Sequence, residues 1–145
     1  LRQHKSLNSE GFLLLCADTV VVAEDRPLGK PENSQEAAKF LRVLSGKTHS
    51  VITGFHLRET GSSNFYTGFD RTFVEFKPLS ESEIAAYIAT GEPLDRAGAY
   101  AIQGGAKNFV SSIKGSWSNV VGLPMERLGA VLKENGWNVR RAKSE

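Results

Sequence analysis

The sequence of 145 residues lacks the features that mark several special classes of protein. Its single cysteine, Cys16, excludes a disulfide within the chain, and no N-x-S/T acceptor for glycosylation is present. No apolar run reaches the roughly 18 residues of a membrane-spanning helix. The net charge is only +2, and no basic stripe with interleaved aromatic residues occurs. Residues 1–10 are polar and lack the apolar centre of a secretory signal. These absences favour a cytoplasmic protein with neither a nucleic acid nor a membrane as its partner.

The order of the hydrophobic patterns along the chain predicts an α/β fold in a single domain. Residues 12–23 form a strand that is apolar on both faces, which is typical of a buried central strand. Two further strands, at 48–57 and 65–76, are joined by a turn-rich stretch and predict a hairpin. Helices are predicted after the N-caps Asn33 and Ser80 and after Pro124, and weaker strand signals lie at 106–113 and 137–139.

Asp18 interrupts the apolar strand at its middle. Alternation places it on one face with Cys16 and Val20, and it places Thr19 on the other. A charge in such surroundings is costly unless it is paired or used. The carboxylate therefore either caps a local turn or bulge or performs chemistry, and the pattern alone leaves both readings open. Cys16 is expected to be a small core residue.

Two lysines are candidate phosphate contacts. Lys30 lies between a glycine and a proline, a setting that suits either a plain surface turn or a rigid cation. Lys47 follows Ser45-Gly46, which resembles the end of a P-loop. However, Leu41 occupies the place of the first glycine, and the segment runs from a helix into a strand. A P-loop is therefore excluded, whereas a phosphate contact by Lys47 is not.

The stretch 91–105 is dense in small residues, which allow backbone or ligand to approach closely. It is either a tight connector or the wall of a pocket. In the second case, Gln103 would read a ligand through its amide, which offers both a donor and an acceptor.

Taken in order, seven short words of the sequence resemble the Maf family of nucleotide pyrophosphatases, and the similarity runs from about residue 13 to residue 132. The words are Ala17-Asp18-Thr19-Val20-Val21, Gly29-Lys30-Pro31, Leu44-Ser45-Gly46-Lys47-Thr48-His49, Thr53-Gly54, Tyr87-Ile88-Ala89-Thr90-Gly91-Glu92-Pro93, Asp95-Arg96-Ala97-Gly98-Ala99-Tyr100-Ala101-Ile102-Gln103-Gly104 and Asn119-Val120-Val121-Gly122-Leu123-Pro124.

The resemblance implies an elongated, two-lobed α/β fold shared with the inosine triphosphatases, with a central mixed, twisted sheet flanked by helices. It implies hydrolysis of a nucleoside triphosphate to the monophosphate and pyrophosphate, assisted by Mg²⁺ or Mn²⁺. Asp18 would be the proton acceptor and a metal ligand, Thr19 and Gln103 would bear on base choice, and Lys30 and Lys47 would approach the phosphates. Family members are cytoplasmic and often homodimeric.

The wording around Gln103 resembles the branch that acts on dTTP, UTP and modified pyrimidine nucleotides. Two alternatives stay open: a pyrophosphatase for 7-methyl-GTP or inosine-type nucleotides, and a nucleotide-binding fragment without chemistry. Family members begin with a strand, a Ser- and Arg-rich phosphate loop and a helix. Residues 1–12 are similar to the tail of that part, so we expect one Maf-like domain, residues 1–145, shortened at its N-terminus.

Overall fold

The computed structural model describes residues 11–139, which form a five-stranded sheet with helices packed on it. The strand order is β2-β1-β3-β4-β5, and each of the four pairings is antiparallel. The strands are β1 Leu13–Ala23, β2 Arg26–Leu28, β3 Thr48–Glu59, β4 Phe65–Phe76 and β5 Val110–Lys114, and the helices are α1 Ser34–Leu44, α2 Glu81–Ala89, α3 Trp117–Val121 and α4 Met125–Glu134. Three short 3₁₀ segments lie at Glu92–Asp95, Ala97–Ala99 and Gly105–Phe109.

The predicted α/β class, the hairpin and the helix starts are confirmed. β3 and β4 pair in register from Thr48 opposite Glu75 to Arg58 opposite Phe65. Ser80 opens α2 with a full capping box, because its hydroxyl accepts the Glu83 N–H while the Glu83 carboxylate accepts the Ser80 N–H. At α1, Asn33 accepts the Glu36 N–H as predicted.

Side-chain alternation gives the sheet two unequal faces. The face that includes Thr19, Val51 and Thr53 carries the helices and the buried core, and we call it the helix-covered face. Its core divides into two clusters. The larger one joins β1, β3 and β4 to α1 and α2, and the smaller one packs Phe55 and Leu57 against Leu128 and Val131 of α4. The opposite, open face carries Asp18 and no helix among residues 11–139.

The expectation that β1 is buried on both faces, with Asp18 in apolar surroundings, was wrong. Residues 14–18 are exposed, and Leu14 retains 49% of its surface. Only Val21 and Val22, near the end of β1, have a strand partner on both sides, because β2 is three residues long. From residue 13 to residue 20, β3 is the only strand paired with β1 within the described part of the chain. Cys16 is likewise exposed, so its predicted core role was also wrong.

Two further local predictions need correction. The segment predicted as one strand from 106 to 113 begins as the 3₁₀ segment Gly105–Phe109, and β5 begins only at Val110. Ala106 and Phe109 are both buried, and their spacing of three residues matches the 3₁₀ period. Trp137 to Val139 form no strand, since the chain leaves α4 at Gly136 and meets no partner strand within residues 11–139.

Two other expectations concern the mixed sheet and the first twelve residues. A mixed sheet needs a parallel pair, and residues 11–139 contain none. The comparison of residues 1–12 with the tail of a longer part falls mostly outside the described residues. Across residues 11–139, no helix combines the length and the apolar character needed to cross a membrane.

Candidate functional site

A cleft of about 470 Å³ opens where β1 faces the segment 92–104 and the helix α3. It brings together Asp18, Thr19, Lys30 and Gln103, four of the five residues that the sequence singled out. The lining is Ala17, Asp18, Thr19, Val21, Lys30, Val51, Glu92, Asp95, Arg96, Ala97, Tyr100, Ala101, Ile102, Gln103, Gly104, Val120 and Val121.

Asp18 and Thr19 line the cleft together although neighbouring strand residues face opposite sides of the sheet. Thr19 points to the helix-covered face, and Asp18 lies on the open face, beside the edge of β1 that has no strand partner within residues 11–139. An oxygen of the Asp18 carboxylate accepts the backbone N–H of Thr19 at 2.9 Å. This bond holds the exposed carboxylate against the strand, with its remaining acceptor positions turned to solvent.

Lys30 enters the cleft from the connection between β2 and α1. Its ammonium donates to the Asp95 carboxylate at 2.6 Å, and this ion pair lowers the pKa of Asp95. The turn is fixed from behind, because the Gly98 N–H donates to the Gly29 carbonyl at 3.0 Å. Gly98 has a φ of +68°, and a Cβ there would come within 2.8 Å of the Val21 side chain. Only glycine suits that position.

Lys47 does not line the cleft. It lies on the connection from α1 to β3, where its ammonium donates to the Glu24 carboxylate at 2.5 Å and lowers the pKa of Glu24. Val51, the nearest cleft residue of β3, is four residues further along the strand, a distance of about 13 Å. The expected phosphate contact by Lys47 therefore stays a prediction.

Arg96, which belongs to one of the words that resemble the Maf family, is a second cation of the cleft. Its side chain is exposed, and it has no ion pair among residues 11–139. It lies between the 3₁₀ segments Glu92–Asp95 and Ala97–Ala99. In the sequence, Arg96 belongs to the cluster of charged residues near the start of the stretch 91–105, which otherwise consists mostly of small residues.

The loop that carries Gln103 is tied down at three points. The Tyr100 hydroxyl lies 2.7 Å from Nε2 of the buried His49, and the Ala101 N–H donates to the Tyr87 hydroxyl at 3.0 Å. The Gly105 N–H donates to the Glu92 carboxylate at 3.0 Å. Gln103 itself is exposed to the cleft, so its amide is free to meet a ligand.

Burial shifts the pKa of two of these anchoring groups. Burial raises the pKa of Tyr87 above its ordinary value, and the nearby Glu92 carboxylate adds to the rise. Burial likewise raises the pKa of Tyr100. Both phenols therefore stay protonated, and each keeps its hydroxyl as a hydrogen-bonding group beneath the loop.

A chain of polar side chains supports the wall of the cleft at Thr19. The Thr19 and Thr53 hydroxyl oxygens are 2.9 Å apart. The Thr53 hydroxyl donates to the backbone carbonyl of Asn119 at 3.0 Å. The Asn119 amide donates to the Val51 carbonyl and to the Thr72 hydroxyl, each at 3.0 Å. Thr53, Thr72 and Asn119 are fully buried. These contacts join residues distant in sequence, which explains why no local pattern revealed them.

Chemically, the cleft offers carboxylates and cations beside a hydrogen-bonding amide. Asp18 is exposed, whereas Asp95 is paired with Lys30 and Glu92 is bound to the Gly105 N–H. Such a set suits a ligand with an anionic end and a polar, planar end. No group of three His, Cys, Asp or Glu side chains arranged to hold a metal occurs within residues 11–139.

Residues 2–135 match the sequence profile of the family described as "Maf-like protein". The chain belongs to the Maf family. Five of its seven resembling words contribute residues to one cleft, namely those that contain Asp18, Lys30, Glu92, Gln103 and Asn119.

Several curated relatives of this Maf chain carry the name dTTP/UTP pyrophosphatase. The relative from Pelotomaculum thermopropionicum is 48% identical over 130 residues, which cover 90% of this chain and 68% of the relative. That from Bacillus thuringiensis subsp. konkukian is 46% identical over 93% of this chain and 70% of its own length. That from a Geobacillus strain is 50% identical over 83% of this chain and 64% of its own length. The chain thus spans about two thirds of the length of these relatives.

Proposed function

We propose that this chain carries the catalytic cleft of a nucleoside triphosphate pyrophosphatase that hydrolyses dTTP and UTP to the monophosphate and pyrophosphate. The observation that supports it is the joint presence of Asp18, Lys30 and Gln103 in one cleft. The names of the relatives support the choice of dTTP and UTP as substrates.

In this proposal Asp18 orients and deprotonates the attacking water. General-base catalysis requires a carboxylate within hydrogen-bond reach of that water and accessible to the scissile phosphate. Asp18 meets the second requirement because it is exposed in the cleft and keeps free acceptor positions beyond its bond to the Thr19 N–H.

Lys30 and Arg96 face the triphosphate and stabilise the charge that gathers on the departing pyrophosphate. Arg96 reaches phosphate oxygens with its planar fork, and Lys30 does so after exchanging Asp95 for the substrate. A contact from Lys47 to the phosphates remains a prediction, since Lys47 is paired with Glu24 outside the cleft lining.

A divalent cation fits the residues present. Mg²⁺ at nucleotide sites is usually held by one or two carboxylates together with substrate phosphates, so a dedicated protein cage is not needed. Among residues 11–139, Asp18 is the cleft carboxylate without an ion pair or a tie to the Gln103 loop, and it would hold the ion. When bound, Mg²⁺ or Mn²⁺ would polarise the phosphoryl group and neutralise charge.

Gln103 and Thr19 would read the base. The amide of Gln103 is able to donate to O4 of uracil or thymine, which leaves the single N3–H to the oxygen of Thr19. The loop beneath Gln103 is anchored by His49, Tyr87 and Glu92. This support limits the entropy lost when Gln103 meets its ligand.

Pyrophosphate release with Mg²⁺ from dTTP, UTP, 7-methyl-GTP and ITP tests the proposal. We expect dTTP and UTP to be the preferred substrates, and Asp18→Asn to lower kcat by at least about a hundredfold. Asp70→Asn is the matched control, because Asp70 also accepts the N–H of the next residue, at 2.8 Å, but lies outside the cleft lining.

Two results would overturn the proposal. A wild-type chain that binds dTTP in calorimetry but releases no pyrophosphate would be a nucleotide-binding fragment. A preference for 7-methyl-GTP or ITP would place it in another substrate class. The homodimer and the cytoplasmic location remain predictions from the family resemblance, to be tested by sedimentation and by fractionation of the native cell.

A further inference from the structure

The hydrogen bonds behind Thr19 have a fixed direction. A carbonyl oxygen carries no proton, so the contact of 3.0 Å between the Thr53 hydroxyl and the Asn119 carbonyl requires Thr53 to donate. The same carbonyl also accepts the Gly122 N–H at 3.1 Å, as expected of an acceptor with two lone pairs. Thr53 has only one hydroxyl proton, and this bond uses it.

It follows that Thr19 is the donor in its bond of 2.9 Å to Thr53. Thr53 is fully buried, and its oxygen is left only with acceptor capacity toward Thr19. The single proton of the Thr19 hydroxyl therefore points inward. What Thr19 presents to the cleft is a pair of acceptor positions and no donor.

We propose that Thr53, which does not line the cleft, is a specificity-determining positioning residue that makes Thr19 an obligate acceptor for the base. This inference rests on the proposed function and adds a residue to it. In uracil and thymine, N3–H is the one ring donor left when N1 carries the sugar, and cytosine has an unprotonated N3 instead. An acceptor fixed by Thr53 favours the first two bases and leaves cytosine N3 facing a lone pair.

Space around Thr19 is consistent with a ligand atom approaching its oxygen. Gly122, at the end of α3, lies beside Thr19, and a Cβ there would be 3.6 Å from the Thr19 hydroxyl. Because glycine has no side chain, no side-chain atom of residue 122 stands beside the Thr19 oxygen.

The test compares kcat/KM for dTTP and dCTP with Mg²⁺ in the wild type and in Thr53→Val. Valine keeps the shape of threonine but accepts no hydrogen bond, so the Thr19 hydroxyl is free to turn its proton to the cleft. We expect the preference for dTTP over dCTP to fall about tenfold, the size of one hydrogen bond. Thr53→Ser restores the acceptor and should restore the preference.

Thr72→Val is the matched structural control. Thr72 is equally buried on the same face and belongs to the same network, but it does not touch Thr19. It should leave the ratio of dTTP to dCTP unchanged while lowering the melting temperature. The inference would be overturned if the ratio of kcat/KM for dTTP to that for dCTP is the same in Thr53→Val as in the wild type, including the case in which both values fall equally.

Neutron diffraction from deuterated crystals separates this inference from the proposed function. Deuterium on the Thr19 oxygen, directed at Thr53, is expected whether or not the chain turns over nucleotide. Deuterium on Thr53 directed at Thr19 would refute the inference even in an active enzyme. A chain with the expected deuterium position but no pyrophosphate release would refute the proposed function instead.

Discussion

The ammonium of Lys30 lies 2.6 Å from the carboxylate of Asp95, and both side chains line the cleft. Both are largely exposed, so the pair contributes little to stability. We expect Lys30→Ala to lower kcat/KM for dTTP about a hundredfold, because a cation that stabilises the leaving pyrophosphate is lost. The melting temperature should change little.

The control for this change is Lys39→Ala, which removes an exposed lysine of α1 outside the cleft. Lys30→Arg should retain part of the activity, since it keeps the charge but not the geometry of the ammonium. If Lys30→Ala and Lys39→Ala have equal kcat/KM values, Lys30 has no role in the reaction.

Substitution of Lys47 is expected to affect the reaction less than substitution of Lys30. Because Lys47 is paired with Glu24 outside the cleft lining, we expect Lys47→Ala to lower kcat/KM less than Lys30→Ala does. An equal or larger loss would show that the Lys47 ammonium leaves Glu24 for the phosphates when substrate binds. It would then support the expectation drawn from the sequence.

His49 should make stability depend on pH. Burial lowers its pKa from 6.5 to about 4, because its ring is enclosed by Phe76 and Tyr100. Between these pH values the unfolded chain binds a proton that the folded chain does not. Its contribution of about 3 kcal/mol is present in full above about pH 6.5 and is lost as the pH falls to 4.

Urea unfolding from pH 4 to pH 7 measures this dependence. His49→Gln should have a flatter profile than the wild type, since glutamine does not titrate in this range. His56→Gln is the control, because His56 is exposed on the open face and stacks on Phe65. A profile for His49→Gln that is parallel to the wild type would exclude His49 as the source.

Gly104 in the cleft and Gly129 in α4 are expected to respond differently to substitution by alanine. A Cβ at Gly104 would lie 1.8 Å from a carboxylate oxygen of Glu92, so Gly104→Ala must push Glu92 off the Gly105 N–H. The displaced atom ends a flexible side chain, so we expect little loss of stability. Activity should fall roughly tenfold to a hundredfold as the loop that carries Gln103 shifts.

Gly129 is the matched site in α4, where a Cβ would meet nothing within 4 Å. Gly129→Ala should raise the free energy of unfolding by about 0.5–1 kcal/mol, because alanine loses less backbone entropy in a helix. Thermal unfolding and pyrophosphate release on both variants check the contrast. Full activity in Gly104→Ala would show that the position of the Gln103 loop does not limit the reaction.

Local chemistry explains what could be predicted from the sequence. The N-caps Asn33 and Ser80 depend on residues a few positions apart, and both are seen in the structure. The burial of β1 could not be predicted in this way, because it depends on which strands and helices lie beside it. An apolar strand pattern such as that of residues 12–23 indicates a tendency toward burial, but it does not determine which elements pack against the strand.

The same distinction holds for the candidate site. Asp18, Lys30 and Gln103 stand in recognisable words, and the structure places them in one cleft. The support for Thr19 joins Thr53 to Asn119, which lie 66 residues apart, and only the tertiary fold brings them together. The sequence carried no signal for the direction of a hydroxyl proton.

The open face of the sheet has a practical consequence for work with this polypeptide. Phe65, Phe69 and Phe73 stand exposed along one side of β4, and Leu14 is exposed on β1 across the same face. An apolar surface of this kind attracts hydrophobic dyes, column resins and other copies of itself. Within residues 11–139 the first part of β1 has a strand on one side only, and such backbone groups can template an additional strand. Dilute protein, low salt and a mild detergent should therefore extend the lifetime of the purified chain in the tube.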